Sequence, residues 1–482
     1  MPGITLLGLG PGEPNQLTRE AWSVLSEVQE VWLRTRQHPT VAALPSQLQV
    51  HSFDELYQSE HSFEAVYAAI VERVLELGKR AEGVTYCVPG HPFVAEATGP
   101  EIARRATEQG IALRLVEGIS FLEPTFSALG LDPYPRLMLF DAMTLGQSHV
   151  PEFAPSSPVL IAQIYSRLVA AEVKSTLNSI YPDEHPVRLV HQAGTREQMV
   201  EDLALYEMDR SEHIGLLTSL YVPPLGKGTA FEAFQEIVAH LRAPDGCPWD
   251  KEQTHQSLRQ HLLEESYETI AAMDANDAAG MREEFGDLLL QIVLNAQIAS
   301  EEGEFTANDV IHGIYDKIIR RHPHVFGDVK VAGVEGVLTN WEKLKERERK
   351  GSEQEKGLLD GVPVALPALS QAQEYQDRAA RVGFDWPEIQ GVLDKIAEEI
   401  NEVKSAENEA ALSDELGDLL FALVNLARWK KVDAESALRG TNRKFKRRFA
   451  YVEGGAISQG RNLTDLSLDE MEALWQGAKR SE

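Results

Sequence analysis

Glu264-Glu265-Ser266-Tyr267-Glu268, followed by Glu284-Phe285-Gly286-Asp287, is an acidic pattern that returns later in the chain. The second copy reads Glu398-Glu399-Ile400-Asn401-Glu402, followed by Glu415-Leu416-Gly417-Asp418. Like charges one helical turn apart repel by about 0.2–0.5 kcal/mol per pair. The repulsion grows when the groups leave water. A bound divalent cation, Mg²⁺ on its way to a phosphate, is the simplest thing that offsets it.

The spacing around these acids is helical. Three-and-four apolar periodicity predicts helices over Phe231–Leu241, Leu258–Met273, Met281–Ala299 and Val310–Arg321. It predicts a second set over Ala368–Val382, Val392–Ala406, Leu412–Lys430 and Glu435–Tyr451. Glu264 and Glu268 share a face. Glu265 continues the apolar stripe of Leu258 and Leu262, and Glu399 that of Val392 and Ile396. A carboxylate on such a stripe costs several kcal/mol unless it is paired, protonated or metal-bound. Glu284 and Asp287 lie in line with Leu290 and Leu294, so two antiparallel helices would bring both acidic sets to one seam. A solvated acidic face would explain one such segment. Four, paired in the same order twice, favour metal. The matching basic clusters, Lys317-x-x-Arg320-Arg321 and Lys444-x-x-Arg447-Arg448, and the following Trp341 and Trp475 indicate a duplicated all-α domain. Lys444 and Arg448 point the same way and suit a triphosphate, or simply complement the helix dipole.

Upstream the pattern differs. Short apolar runs at Ile4–Leu9, Val84–Val88, Ala112–Val116, Leu137–Phe140, Val159–Gln163 and Ile214–Leu220 read as buried strands. Phe63–Leu77 and Gly99–Gln109 between them read as helices. This alternation predicts a largely parallel sheet with helices on its faces. The turn-rich Tyr221-Val222-Pro223-Pro224-Leu225-Gly226-Lys227-Gly228 closes the region. It lacks the spaced first glycine of a phosphate-binding loop and reads as a linker. Glycine and proline turns follow three of the strands: Gly8-Leu9-Gly10-Pro11-Gly12, Val88-Pro89-Gly90-His91-Pro92-Phe93 and Glu117-Gly118-Ile119-Ser120-Phe121. Turns at strand C-terminal ends line the crevice where open α/β sheets bind ligands. Pro11 breaks any dinucleotide fingerprint.

The bulk numbers bound these readings. The 482 residues exceed one core. A net charge of −29 argues against sequence-independent nucleic-acid binding, which needs a basic surface. The two cysteines, Cys87 and Cys247, form no framework, so no disulfide is expected. Met1-Pro2-Gly3-Ile4 opens no basic and apolar leader, and no apolar run reaches membrane-spanning length. Cytoplasmic residence with no membrane partner is the expectation.

Residues 229–482 resemble the MazG-type nucleoside triphosphate pyrophosphohydrolases in tandem form. The resemblance is carried by Gly246-Cys247-Pro248-Trp249-Asp250-Lys251-Glu252-Gln253-Thr254, both acidic sets, Arg320-Arg321-His322-Pro323-His324-Val325-Phe326-Gly327, Val382-Gly383-Phe384-Asp385-Trp386 and Gly417-Asp418-Leu419-Leu420-Phe421. That family is all-α, usually dimeric and Mg²⁺-dependent, and converts a nucleoside triphosphate to the monophosphate and pyrophosphate. The resemblance implies Glu399, Glu402, Glu415 and Asp418 as metal ligands with Glu398 beside them, all five in the catalytic set. It implies Glu264, Glu265, Glu268, Glu284 and Asp287 as their counterparts in the first repeat. Lys345, Lys395, Lys444, Arg448 and Trp475 become the nucleotide-binding candidates. In tandem members the second repeat often works, although both copies here keep every acid. Which glutamate acts as base stays open.

The three upstream turns, with Leu220-Tyr221-Val222-Pro223-Pro224-Leu225, resemble the tetrapyrrole (corrin and porphyrin) methylases, over about residues 3–225. Those enzymes use S-adenosylmethionine between two α/β lobes. Pro11, Pro89, Gly90, His91, Val94, Ser120 and Phe121 would line the cofactor site. His91 stands where the family usually has Asp, so the region reads either as a methyltransferase, with a tetrapyrrole or other small acceptor, or as a non-catalytic ligand sensor. The expected architecture is therefore multidomain. A two-lobed α/β tetrapyrrole-methylase-like domain (1–225) precedes two all-α MazG-like helical domains (226–350 and 358–482). Nucleoside triphosphates are the implied substrates and a homodimer the implied assembly.

Overall fold

Buried hydrophobic strands gather at the start of the chain. The computed structural model describes residues 3–331, 333–334, 336–337, 340–341 and 357–481. The chain forms two units, Met1–Ile311 and His312–Glu482.

In the first unit, β1 (Ile4–Gly8), β2 (Glu30–Leu33), β3 (Gln49–Ser52), β4 (Val84–Val88) and β5 (Leu113–Val116) form an all-parallel sheet in the order β3-β2-β4-β1-β5. Side-chain alternation divides its two faces. Ile4, Leu6, Val84, Tyr86 and Val88 pack beneath α2 (Phe63–Gly78) and α3 (Thr98–Glu108). Leu7, Val31, Leu33, Cys87 and Val116 pack beneath α1 (Arg19–Glu27). Thr18 starts α1 by accepting the Ala21 N–H, and Ser62 starts α2 by accepting that of Ala65. Helix α4 (Leu122–Leu129) follows β5.

The second lobe departs from the largely parallel expectation. β6 (Met138–Asp141), β7 (Val159–Ala162), β8 (Pro186–His191), β9 (Met199–Ala204) and β10 (Thr218–Val222) run in the order β6-β7-β10-β8-β9. Only β6 and β7 pair in parallel; β10 is antiparallel to β7 and β8, and β8 to β9. The last predicted strand also starts late. The Thr218 hydroxyl accepts the Gly215 N–H, and this turn releases the chain into β10 only at Thr218. Helix α5 (Arg167–Leu177) covers this sheet through Val169, Ala170, Val173 and Leu177.

The helices begin with α6 (Phe231–Arg242), followed by α7 (Leu258–Ala275) and α8 (Ala278–Glu302). Asn276 turns the chain in the left-handed region, and the Asp277 carboxylate caps α8. So short a connection makes α7 and α8 antiparallel neighbours, packed with α6 around Val238, Leu258, Val293, Leu294 and Ile298. Helix α9 (Ala307–Arg321) follows α8.

The second unit repeats the device. α10 (Ala368–Arg381) precedes α11 (Ile389–Ser405) and α12 (Glu409–Trp429), the latter capped by Asn408. Asp433 caps α13 (Ala434–Ser458), and Ser467 caps α14 (Leu468–Arg480). Among the described residues no helix is long and apolar enough to cross a membrane.

Candidate functional site

The α7–α8 hairpin carries one acidic seam and the α11–α12 hairpin the other. In the first, carboxylate oxygens of Glu265, Glu268 and Glu284 lie within 4.8 Å of one another; in the second, those of Glu399, Glu402 and Glu415 do. The trios occupy equivalent positions in the two acidic patterns. Another grouping, His255 with Glu302 and Glu304, is as close, but its imidazole Nδ1 is 2.7 Å from the Asn295 side-chain oxygen.

The remaining predicted acids stand around these trios. Asp287 is half-buried and outside the first trio, and its charge helps push Glu265 and Glu284 above the usual carboxylate range. Desolvation is the larger cause for both, with the neighbouring glutamates adding to it. Glu264 points elsewhere: it accepts a 2.9 Å hydrogen bond from Gln260 and stands 3.5 Å from His261. Asp418 is exposed and outside the second trio.

The second seam is more deeply set. Glu399 is 3% exposed, and its Oε2 has no hydrogen-bond partner. Lys395 reaches its other oxygen at 2.7 Å and Glu398 at 2.9 Å, and these bonds raise the lysine's own pKa. Glu402 is pushed up by desolvation, then by the charges of Glu399 and Glu415. A buried carboxylate oxygen without a donor, in a trio of acids, is a donor set suited to a hard divalent cation. Gly286 and Gly417 sit within the helical acidic motifs with nothing within 4 Å of an added Cβ, so the helix surface beside each seam is open.

The basic and aromatic candidates fall into groups. The Arg448 guanidinium lies over the Trp475 ring, 5.8 Å from its centre, and Phe445 packs on the same ring at 5.2 Å. Lys444 is exposed on α13. Lys345 lies outside the described residues.

At the carboxyl ends of β1, β4 and β5 the three glycine turns meet. Gly10 and Gly90 exchange backbone hydrogen bonds at 3.2 and 2.8 Å. A Cβ on Gly8 would lie 2.5 Å from the Gly90 carbonyl oxygen, and one on Gly118 2.3 Å from it. Pro11 is buried, and its ring abuts Gly194 of the second lobe. Pro89, Gly90, His91, Val94 and Phe121 are partly exposed around this junction, and Ser120 is buried. His91 Nδ1 accepts the Phe93 N–H at 3.0 Å, and the His91 carbonyl accepts that of Val94. The Ser120 hydroxyl accepts the Leu122 N–H and donates to Glu123.

Residues not singled out in the sequence stand beside these turns. Arg34, just past β2, forms a partly buried ion pair with Glu96, which also accepts from the Thr98 N–H. His38 is 6% exposed; burial and the Arg34 charge hold its pKa down at about 4, against a raising contact with the Gly10 backbone. Gln16 Oε1, Arg34 Nε and His38 Nδ1 are buried without partners. Such orphaned polar atoms beside tight glycine turns fit a polar ligand laid against the backbone. The only sequence signal was their position after β1 and β2.

Antiparallel helices gathering carboxylates at a seam are an arrangement able to hold a divalent cation, here present twice. The two-lobed α/β region brings its glycine turns together at strand ends, where open α/β sheets can take a small ligand. Comparison with known proteins gives the family. The model of the MazG nucleotide pyrophosphohydrolase domain matches residues 253–326 and 388–452. That of the tetrapyrrole (corrin/porphyrin) methylases matches residues 3–209. The uncharacterized protein YabN of Bacillus subtilis (strain 168) is 43% identical over 99% of both chains. The nucleoside triphosphate pyrophosphohydrolase/pyrophosphatase MazG of Thermotoga maritima is 45% identical over 52% of this chain and 96% of its own. The nucleoside triphosphate pyrophosphohydrolase of Escherichia coli (strain K12) is 46% identical over 51% of this chain and 95% of its own. The chain belongs to the MazG nucleotide pyrophosphohydrolase family, with a tetrapyrrole-methylase-type domain ahead of its two helical repeats.

Proposed function

We propose that this chain hydrolyses nucleoside triphosphates to the monophosphate and pyrophosphate with Mg²⁺, as a nucleotide-pool housecleaning enzyme of the cytoplasm. The observation that carries the reading is Glu399, buried with one oxygen lacking any partner, in a carboxylate trio that the first repeat reproduces. Glu399, Glu402 and Glu415 would hold the metal, with Asp418 and Glu398 beside them. When bound, Mg²⁺ neutralises phosphate charge and helps orient the attacking water. Lys395, Lys444 and Arg448 bind the triphosphate, with Lys345 as a further candidate, and the Trp475 ring supports the base. The water oxygen forms a bond to the α-phosphorus, the bond to the bridging oxygen breaks, and pyrophosphate leaves with that oxygen. A carboxylate of the seam takes the water's proton.

In the N-terminal half S-adenosylmethionine would lie on Pro11, Pro89, Gly90, Val94, Ser120 and Phe121. A tetrapyrrole or other small molecule would be the methyl acceptor. His91 spends its Nδ1 on the turn itself, and this favours a second reading of that half as a ligand sensor that regulates hydrolysis. Domain limits of 1–225, 226–350 and 358–482 accompany the proposal. So does a homodimer. Phe285, Leu289 and Ile292 on α8 and the equivalent Leu416, Leu420 and Leu423 on α12 are each at least 40% exposed, apolar faces that an assembly would cover. The net charge of −29 speaks against a nucleic-acid partner.

Pyrophosphate release from a panel of ribo-, deoxyribo- and modified triphosphates with Mg²⁺ tests the reading. Glu399→Gln with Glu402→Gln should lower release at least a hundredfold; release that persists in that variant and in Glu265→Gln with Glu268→Gln sinks the proposal. Calorimetric titration of S-adenosylmethionine followed by a methyl-transfer assay separates the N-terminal readings: binding without transfer supports the sensor, and no binding removes both.

A further inference from the structure

The segment ahead of α7 meets the end of α8 at a group of side chains that the acidic seams do not use. A ring nitrogen of His255 and carboxylate oxygens of Glu302 and Glu304 lie within 4.8 Å of one another. Hydrogen bonds around the histidine fix its tautomer. Asn295 Nδ2 donates to the Gln291 carbonyl at 2.7 Å, so Oδ1 is the atom turned to the imidazole. An amide oxygen only accepts, so His255 Nδ1 carries the proton and Nε2 keeps its lone pair. A metal-binding imidazole is held in this way, its other nitrogen donating to an oxygen behind it. The helix end brings the two carboxylates together. Gly303 turns in the left-handed region, at φ +74°, and the Glu304 N–H returns to the Ala299 carbonyl, so the acids flank one tight turn. Arg242 engages the neighbouring Glu301 instead. Among the described residues no lysine or arginine pairs with Glu302 or Glu304.

A cavity beside this group gives an independent sign of a ligand. His255, Gln291 and Asn295 together line a space of about 390 Å³. Gln291 is 7% exposed, and its Oε1 is buried without a partner. A buried acceptor left unpaired at a cavity calls for a donor that the chain itself does not supply. The second repeat copies none of these three residues. Aligning Glu265 with Glu399 and Glu284 with Glu415 puts Ile389, Ala422 and Leu426 where His255, Gln291 and Asn295 stand. We propose that His255 Nε2, Glu302 and Glu304 bind a divalent transition-metal ion at a site of their own in the first repeat, and that water on this ion supplies the donor to Gln291. One imidazole and two carboxylates form a mixed nitrogen and oxygen set, which favours Zn²⁺ or Co²⁺ over the hard, oxygen-seeking Mg²⁺. The ion ties the segment ahead of α7 to the end of α8 and so clasps the hairpin from one end. The inference goes beyond triphosphate hydrolysis and holds whether or not the seams cleave a nucleotide.

The test titrates the full chain with Co²⁺, whose visible absorption reports its ligands. The seams are first silenced by Glu265→Gln, Glu268→Gln, Glu399→Gln and Glu402→Gln. One Co²⁺ per chain should still bind, and Zn²⁺ should displace it where an equal excess of Mg²⁺ does not. His255→Gln should weaken it by about a hundredfold or more, as should Glu302→Gln with Glu304→Gln. The latter pair is exposed, so its loss leaves the packing intact. Asn295→Leu acts through the histidine. It should weaken binding by about tenfold or more and shift the Co²⁺ bands, because the imidazole can then offer either nitrogen. Gln291→Leu should weaken binding by about tenfold. Circular dichroism on each variant verifies that the helices persist. The proposal is overturned if the folded, seam-silenced chain binds no Co²⁺, if Co²⁺ binding there survives His255→Gln, or if Mg²⁺ displaces Co²⁺ as readily as Zn²⁺ does. Should the four seam substitutions unfold the chain, the count moves to the unmodified protein. His255→Gln must then lower the number of bound Co²⁺ by one, and an unchanged number overturns the proposal.

Discussion

Gly118 has no room for a methyl group. An added Cβ would sit 2.3 Å from the Gly90 carbonyl oxygen and 2.9 Å from Gly8, all backbone that cannot swing aside. Gly118→Ala should therefore cost about 1–3 kcal/mol, the usual toll of overpacking, and should weaken any ligand held by the three turns. Gly417→Ala is the contrasting case, a helical glycine with open space around it. It should stabilise its unit by about 0.5–1 kcal/mol. Urea midpoints at unchanged slope measure both, and equal shifts would contradict the geometry. His38 adds a titration. Its folded pKa of about 4 lies below the unfolded value, so it folds neutral. The stability it contributes is complete above about pH 6.5 and is lost as the pH falls toward 4, on the order of 3 kcal/mol in all. His38→Gln should flatten that part of the pH–stability curve for the N-terminal lobes, and an unchanged curve would mean that His38 is not buried neutral.

The acidic hairpins carry the opposite sign. Glu265, Glu284 and Glu402 have raised pKa values, desolvation first and like charges second. Their contribution to stability is complete below the ordinary carboxylate pKa of about 4.3 and is lost as the pH rises through the raised values. Without metal, the hairpins should thus be weakened by ionisation at neutral pH, and Mg²⁺ should restore them. The Mg²⁺-induced rise in Tm should be larger at pH 8 than at pH 5, and Glu265→Gln with Glu402→Gln should shrink that difference. A rise that is greater at pH 5 would place the metal elsewhere. These hairpins were the part of the molecule most legible in the sequence, because a 3.6-residue period shows which acids share a face with Leu258 or Val392. The second lobe was not. Its β8 and β9 mix Arg188, Glu201 and Asp202 with apolar residues, and direction in a sheet is set by long-range pairing, such as Leu220 with Ile161. The Arg34–Glu96 pair escaped for a similar reason, since 62 residues separate its members and neither sits in a periodic run. Spacing placed Glu264 on the face of Glu268, but the side chain turns to Gln260 and His261, a choice that lies below the resolution of periodicity.

At the scale of the whole chain two chemistries share one polypeptide, a glycine-turn site in the first unit and a lysine-countered acidic seam in the second. If each ligand acts on the element that holds it, hydrogen exchange will show where. S-adenosylmethionine at a hundredfold excess over its Kd adds about 2.7 kcal/mol to the folded state that binds it. That is roughly a hundredfold slowing for amides that exchange only when that state opens. The protected amides should be those of β1, β4 and β5, which end in the converging turns. Mg²⁺ with a non-hydrolysable α,β-methylene triphosphate should protect α11, α12 and α13, where Glu399, Glu415 and Arg448 reside. Protection of the acidic hairpins by S-adenosylmethionine would show that the ligand site communicates with the hydrolase, the behaviour of a sensor, and would carry a reciprocal prediction. The triphosphate would then have to change the affinity for S-adenosylmethionine by the same factor, since coupling between two binding sites is mutual.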